Sequence, residues 1–354
     1  MNPVHPISGI QQIGVGVKDA TEAWKWYRKW FGMDICVFED TASAKLMTQY
    51  TGDQVQDRHA VLALNMQSGG GFEIWQFTSR EPQPATFEIK AGDLGVYAAK
   101  IKCKNVPAAF KRFQEGGYTI DSSVQKDPAG NEGFFVKDPY GNLWHIVNGD
   151  GWYQEEQKLT GGIYGAVIGV SNMDRALDLY SKVLGYSEVV SDTSGEQADL
   201  SALPGGTKRF RRVILRCPQS RSGAFSRLLG PAHIELWQAL DSPGRKIFEQ
   251  RYWGDLGFIH LCFDVVSMKR LGKSLHEHGF KFTVDSSNSF DMGEAAGHFT
   301  YTEDPDQTLI EFVETHRVPI MKKIGWFLNL HEKRRSKPLP NWMVRSLRFN
   351  RVKD

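Results

Sequence analysis

Four times along the chain, a short apolar run is followed by a segment whose apolar residues recur at helical spacing. The runs are IGVGV (13–17), AAKIKC (98–103), AVIGV (166–170) and HLCFDV (260–265). Such runs, rich in β-branched and aromatic residues, predict strands. After the third, Ala176, Leu177, Leu179, Tyr180, Val183 and Leu184 share one helical face. A glycine then stops each helix, in FGM, EGGY, LGY and EHGF, since glycine takes the left-handed conformation of a helix end at little cost. Further strand-like segments complete each unit. The pattern predicts an α+β fold of four βαβββ modules, with curved mixed β-sheets.

The units also repeat letter by letter. GDLGVYA (92–98) returns as GDLGFIH (254–260), and FEIWQF (72–77) as IELWQA (234–239), each pair 162 residues apart. KDPYGNLWHIV (137–147) returns as EDPDQTLIEFV (303–313), and residues 11–33 resemble residues 164–186. The chain therefore reads as two halves, 1–155 and 156–316, and a C-terminal tail, 317–354.

Composition narrows the class. Of 354 residues, 41% are hydrophobic and 24% charged, which fits a globular protein with well-buried cores. There is no apolar run long enough to span a bilayer and no secretory pattern at the start. Four scattered cysteines suggest reduced thiols, hence a cytoplasmic setting. Charge is divided unevenly: the tail carries 11 Lys+Arg against 2 Asp+Glu, the rest 32 against 39. A basic, aromatic tail on an acidic body is expected to wrap that body, or a partner subunit in a homodimer, and to bury its aromatics there. Nucleic acid is not an expected partner.

These repeats, the helix ending in Leu-Gly-Tyr, and the endings DPYGNLWHI and DPDQTLIEF resemble the vicinal oxygen chelate superfamily. That group includes glyoxalase I, extradiol ring-cleaving dioxygenases and bleomycin-resistance binding proteins. The resemblance covers nearly all of residues 8–316. It implies that modules pair into two curved cups, each able to hold a divalent metal on its inner face. Every module offers one ligand from its first strand and one from its last.

In the first half those positions fall on Gln12, Glu73, Ala98 and His145, and in the second on Gly165, Glu235, His260 and Glu311. A glutamate inside an apolar strand is disfavoured unless paired or solvated. Its appearance in both IWQ and LWQ contexts points to a polar cup. The second half is the expected working site. There Glu235, His260 and Glu311 offer one imidazole and two carboxylates to Zn, Mn, Fe or Ni. Gln12, Glu73 and His145 form the weaker candidate, a second site or a relic cup.

By resemblance, Glu235 or Glu311 would move a substrate proton while the metal stabilises an enediolate-like oxyanion on a small oxygen-rich substrate. Tyr301, Asp304, Pro305 and Glu311 also match part of the extradiol signature, which implies ferrous iron and ring cleavage as an alternative. A metal-free binding protein is the third reading. Arg245, Arg251 and Tyr252, in a basic stretch before His260, are candidates to hold an anionic substrate.

Overall fold

The computed structural model describes residues 5–118, 120, 122–219, 221–287, 290–292, 295–321 and 325–353. The first module consists of β1 (Ile7–Gly16), α1 (Ala20–Phe31), β2 (Ile35–Ser43), β3 (Asp57–Leu64) and β4 (Gly71–Phe77). The second has β5 (Gly95–Cys103), α2 (Val106–Glu115), β6 (Gln125–Lys126), β7 (Glu132–Lys137) and β8 (Leu143–Asn148). The third has β9 (Thr160–Gly169), α3 (Met173–Leu177), β10 (Glu188–Glu196), β11 (Arg209–Arg216), α4 (Ser226–Leu229) and β12 (His233–Ala239). The fourth has β13 (Gly257–Val265), α5 (Met268–Glu277), β14 (Val284–Asp285), β15 (Phe290–Met292), β16 (Ala295–Glu303) and β17 (Leu309–Met321). The tail adds β18 (Trp326–Asn329), α6 (Glu332–Arg335) and α7 (Asn341–Arg345).

Local chemistry explains the module. Asp19 caps α1, its side chain accepting the Glu22 N–H, and Gly32 closes the helix at φ 65°. Between them Trp24, Tyr27, Trp30 and Phe31 turn toward the sheets and are buried. Tyr27 then donates its hydroxyl to Asp138, 2.8 Å away in the second module. In the repeat, Tyr180 does the same to Asp304 at 2.9 Å. Each aspartate also ties its own turn, accepting backbone N–H groups two and four residues on.

The strands form two curved mixed sheets, in the orders β14-β16-β17-β13-β1-β4-β3-β2 and β10-β11-β12-β9-β5-β8-β7-β6. The first and fourth modules therefore build one cup, and the second and third build the other. The sequence-based expectation paired modules within each half. In the structure β1 runs antiparallel to β13, and β5 antiparallel to β9. The long connections 78–94 and 240–256 carry the chain from one sheet to the other. All four modules present the same kind of first strand, so the repeat pattern is equally compatible with both pairings.

The tail lies on its own chain. Leu328, Leu330, Leu339, Val344 and Leu347 are buried with Ile35, Leu64 and Val318 in one cluster. Arg335 pairs with Glu314 at 2.8 Å, and Arg351 with Glu156 at 2.6 Å. The expected burial of tail aromatics fails for three of four: Trp326, Trp342 and Phe349 are 40%, 58% and 60% exposed, and Phe327 is half-buried. The side chains that the tail buries in that cluster are aliphatic. Lys322 and Lys323 lie outside the described residues. Among the described residues no helix is long and apolar enough to cross a membrane.

Candidate metal centre

Strand register sets the geometry. Gly14 of β1 stands opposite His260 of β13 on one side and Glu73 of β4 on the other. One step along, Gln12 faces Cys262, Cys262 faces Glu311 of β17, and Glu311 faces Tyr301 of β16. Gly14 is a spatial requirement, because a Cβ there would stand 2.5 Å from Cε1 of the His260 ring. The strand sequence thus reserves a place for the imidazole.

The result is a cluster of Glu73, His260 and Glu311, all buried, with ligand atoms within 4.8 Å of one another. His260 Nε2 lies 3.2 Å from Glu73 Oε2 and 3.1 Å from Glu311 Oε2. It is aligned for a hydrogen bond with neither, so this buried nitrogen has no such partner. Gln12 Nε2 stands 3.2 Å from the same Glu73 oxygen and 3.3 Å from the same Glu311 oxygen. Its buried Oε1 also has no partner. Turning the amide over points that oxygen at the two carboxylates, the orientation a cation would select.

The electrostatics agree. Burial favours the neutral imidazole, but the charge and contact of Glu311 and Glu73 outweigh it and raise His260 to about 10. Burial raises Glu73, while His260 holds Glu311 below the usual carboxylate range despite its burial. An imidazolium between two carboxylates occupies the position a divalent cation would take. Tyr301 Oη lies 3.2 Å from His260 Nδ1. With Nδ1–H directed to that oxygen, displacement of the Nε2 proton by a cation would bare the Nε2 lone pair toward the carboxylates. Gln12, Glu73, His260 and Glu311 therefore fit a divalent cation by donor type, by their unpartnered atoms and by charge.

The structure redistributes the two sequence-derived ligand sets. His260, Glu311, Gln12 and Glu73 come together, drawn from both sets, and Tyr301 joins them. Glu235 and His145 lie in the other sheet with Ala98 and Gly165. There Glu235 is fully buried and gripped by Arg212 Nε at 2.5 Å, Trp237 Nε1 at 2.7 Å, and Lys100. Despite its burial, Arg212 and Lys100 push its pKa well below the usual carboxylate range. His145 is kept neutral by burial and by Lys100, and its ring stacks on Phe135 at 4.0 Å. Two cations thus satisfy the carboxylate in this cup. Lys100 and Arg212 are the signal for this cup in the sequence: two basic residues inside strands, at positions outside the repeated ligand places.

The basic stretch is also placed elsewhere. Arg245 bonds Glu249 at 2.8 Å and covers the Phe87 ring. Arg251 donates 2.5 Å bonds to the carbonyls of Ile247 and Leu256. Arg251 and Tyr252 border a depression with Phe248 and Trp253, and neither Glu73 nor Glu311 lines it. The three residues tie the connection 240–256 and do not face the cluster. Asp304 is absorbed by its turn and by Tyr180, so within the extradiol-like stretch only Tyr301 and Glu311 reach the site.

Two chambers meet at the carboxylates. One is lined by Arg58, Trp75, Trp253, Phe299 and Tyr301 together with Glu73 and Glu311. The other shares those two glutamates, adds Gln12, and is otherwise mostly aliphatic, with Gln11, Thr315 and Arg317 also on its wall.

The model of the Glyoxalase/Bleomycin resistance protein/Dioxygenase superfamily matches residues 9–146 and 162–312. Among solved structures, a protein of Bacillus subtilis subsp. subtilis str. 168 with a provisional dioxygenase assignment is 14% identical, with a TM-score of 0.57. That match covers 88% of this chain and 86% of the other. Glyoxalase I from Zea mays is 12% identical, with a TM-score of 0.53, over 86% of this chain and 92% of the other. At these identities the likeness concerns the fold. Among curated proteins no sequence matches this chain.

Proposed function

We propose that this chain, which belongs to the Glyoxalase/Bleomycin resistance protein/Dioxygenase superfamily, is a metal-dependent lyase or isomerase that moves a proton on a small oxygen-rich substrate. The observation that carries the reading is the convergence of Gln12, Glu73, His260 and Glu311 at one buried point. Those residues would hold one divalent cation, Zn, Mn, Fe or Ni. When bound, the cation supplies Lewis acidity that favours negative charge on a substrate oxygen.

The chain's own residues do the rest. Glu73 and Glu311 open onto both chambers, so each is placed to take a proton from a substrate carbon and return it to a neighbouring one. Tyr301 fixes the His260 ring, and Gln12 contributes without adding charge. Trp75, Trp253 and Phe299 shield the site from bulk water. Gln12 on the first strand gives an amide in place of a second imidazole, which favours proton transfer over ferrous ring cleavage.

The test is metal analysis with solvent-exchange kinetics. Metal-loaded protein should catalyse exchange of the carbon-bound hydrogen of an α-hydroxycarbonyl probe such as dihydroxyacetone, and Glu73→Gln or Glu311→Gln should abolish it. Metal-loaded protein that takes up oxygen with catechol and exchanges no such hydrogen would refute the proposal.

A further inference from the structure

The tail, 317–354, lies beyond the family match, which ends at residue 312, yet it lines a chamber that opens on the candidate metal centre. The aliphatic chamber that opens on Gln12, Glu73 and Glu311 is walled by Phe38, Leu62, Leu228, Val313, Val318 and Leu347. Leu347 belongs to the tail, in a turn of helix over Ser346–Asn350 that packs against β2 and β17. The tail is fastened on either side of it. Upstream, Arg335 pairs with Glu314, and backbone bonds of 3.0 Å join Ala224 to Arg335 and Leu339. Downstream, Arg351 pairs with Glu156, and the Val352 N–H donates to Asp34 O at 2.9 Å.

A gap between apolar walls loses contacts and collapses where the walls are free to move. Here ion pairs on both sides fix the tail in place, and the space ends on the ligand cluster. Apolar space continuous with a polar reactive point suits a ligand with an oxygen-bearing end and a hydrocarbon end. The opposite chamber pairs its aromatic wall of Trp75, Trp253, Phe299 and Tyr301 with the charged Arg58 and Asp40, whereas the tail-side chamber is mostly aliphatic, with Arg317 its one charged lining residue besides the two glutamates.

We propose that the C-terminal tail is part of the active site, and that Leu347 selects substrates carrying an uncharged hydrocarbon substituent next to the chelating oxygens. This rests on the metal-centre reading above. The substituent would enter the tail-side chamber while the oxygens stay at the carboxylates.

The experiment uses full-length, zinc-loaded protein and straight-chain hydroxamates, which offer two oxygens to a divalent cation and an alkyl chain of chosen length. Binding measured by calorimetry should tighten about threefold to fourfold for each methylene between acetohydroxamate and hexanohydroxamate. Leu347→Trp should flatten that series to less than about threefold overall. Leu347→Ala, which asks less of the fold, should lengthen the alkyl chain that binds best. Phe349→Ala, at an exposed neighbouring position, should leave the series unchanged. Equal affinities along the series in zinc-loaded wild type would overturn the tail's role and leave the metal centre standing. Acetohydroxamate that binds no better with zinc than without it would overturn both.

Discussion

His260 Nε2 lies 3.2 Å from Glu73 Oε2, although 187 residues separate them in the chain. One comes from the first module and the other from the last, so the candidate centre exists only when the two ends of the fold are paired.

Replacing that histidine gives the sharpest contrast between the cups. His260→Ala should weaken zinc binding by at least about a hundredfold, since even outer-shell partners of a metal cost 10–100-fold. His145→Ala should leave zinc stoichiometry unchanged, because His145 sits in the cup that Lys100 and Arg212 serve. Elemental analysis with a zinc titration checks both, and the opposite pattern would move the centre to the second sheet.

Glu235→Gln should be a stability mutation. Removing the carboxylate leaves Lys100 and Arg212 buried without their shared counter-ion, a change of about 3–5 kcal/mol by analogy with broken buried pairs. Urea unfolding should show that loss, with zinc stoichiometry unaltered. A stable variant lacking zinc would contradict the assignment.

Gly14→Ala tests the space reserved for the imidazole. The added Cβ would stand 2.5 Å from the His260 ring, which must then turn away from the carboxylates. The expected outcome is zinc binding weakened about tenfold or more, with a stability loss of about 1–3 kcal/mol from overpacking. Full zinc affinity in a folded variant would show that the ring has room to shift.

Acid should destabilise the protein through His233. Burial lowers its pKa to about 4 in the folded chain, against about 6.5 unfolded. As pH falls below about 6.5 the unfolded state takes up the proton first, so stability drops down to about pH 4. The slope is about 1.4 kcal/mol per pH unit for one such group. Asp264 and Asp304, raised to about 6 by burial, act in the opposite sense and contribute stability that fades as pH rises from about 4 to 6. Denaturation of wild type and His233→Phe across pH 4–7 separates the terms. The variant should lose part of the acid slope, and an unchanged slope would refute the role of His233.

Much of the fold was legible because its signals are local. Apolar periodicity, the glycine after α1 and the Asp-Pro turns all act within a few residues, and each recurs four or two times. Ligand positions were legible for the same reason: Glu73, His260 and Glu311 stand at matching places in repeated strings. The grouping of those positions was not, because it depends on which strand edges meet across more than 200 residues, and β1 fits β5 and β13 equally by pattern. Glu235 shows the consequence. Its string matches that of Glu73, and only the neighbouring Lys100 and Arg212 make it structural.

The interleaving of the modules also bears on how the protein is made. Gln12 and Glu73 emerge from the ribosome with β1 still lacking its neighbour, and more than half the chain must follow before β13 arrives. Until then the nascent chain holds two of the four donors on an unclosed sheet edge, with no imidazole at Gly14. On the proposed reading, metal capture would wait for His260 and Glu311, and a chain cut short before His260 would lack two of the four donors.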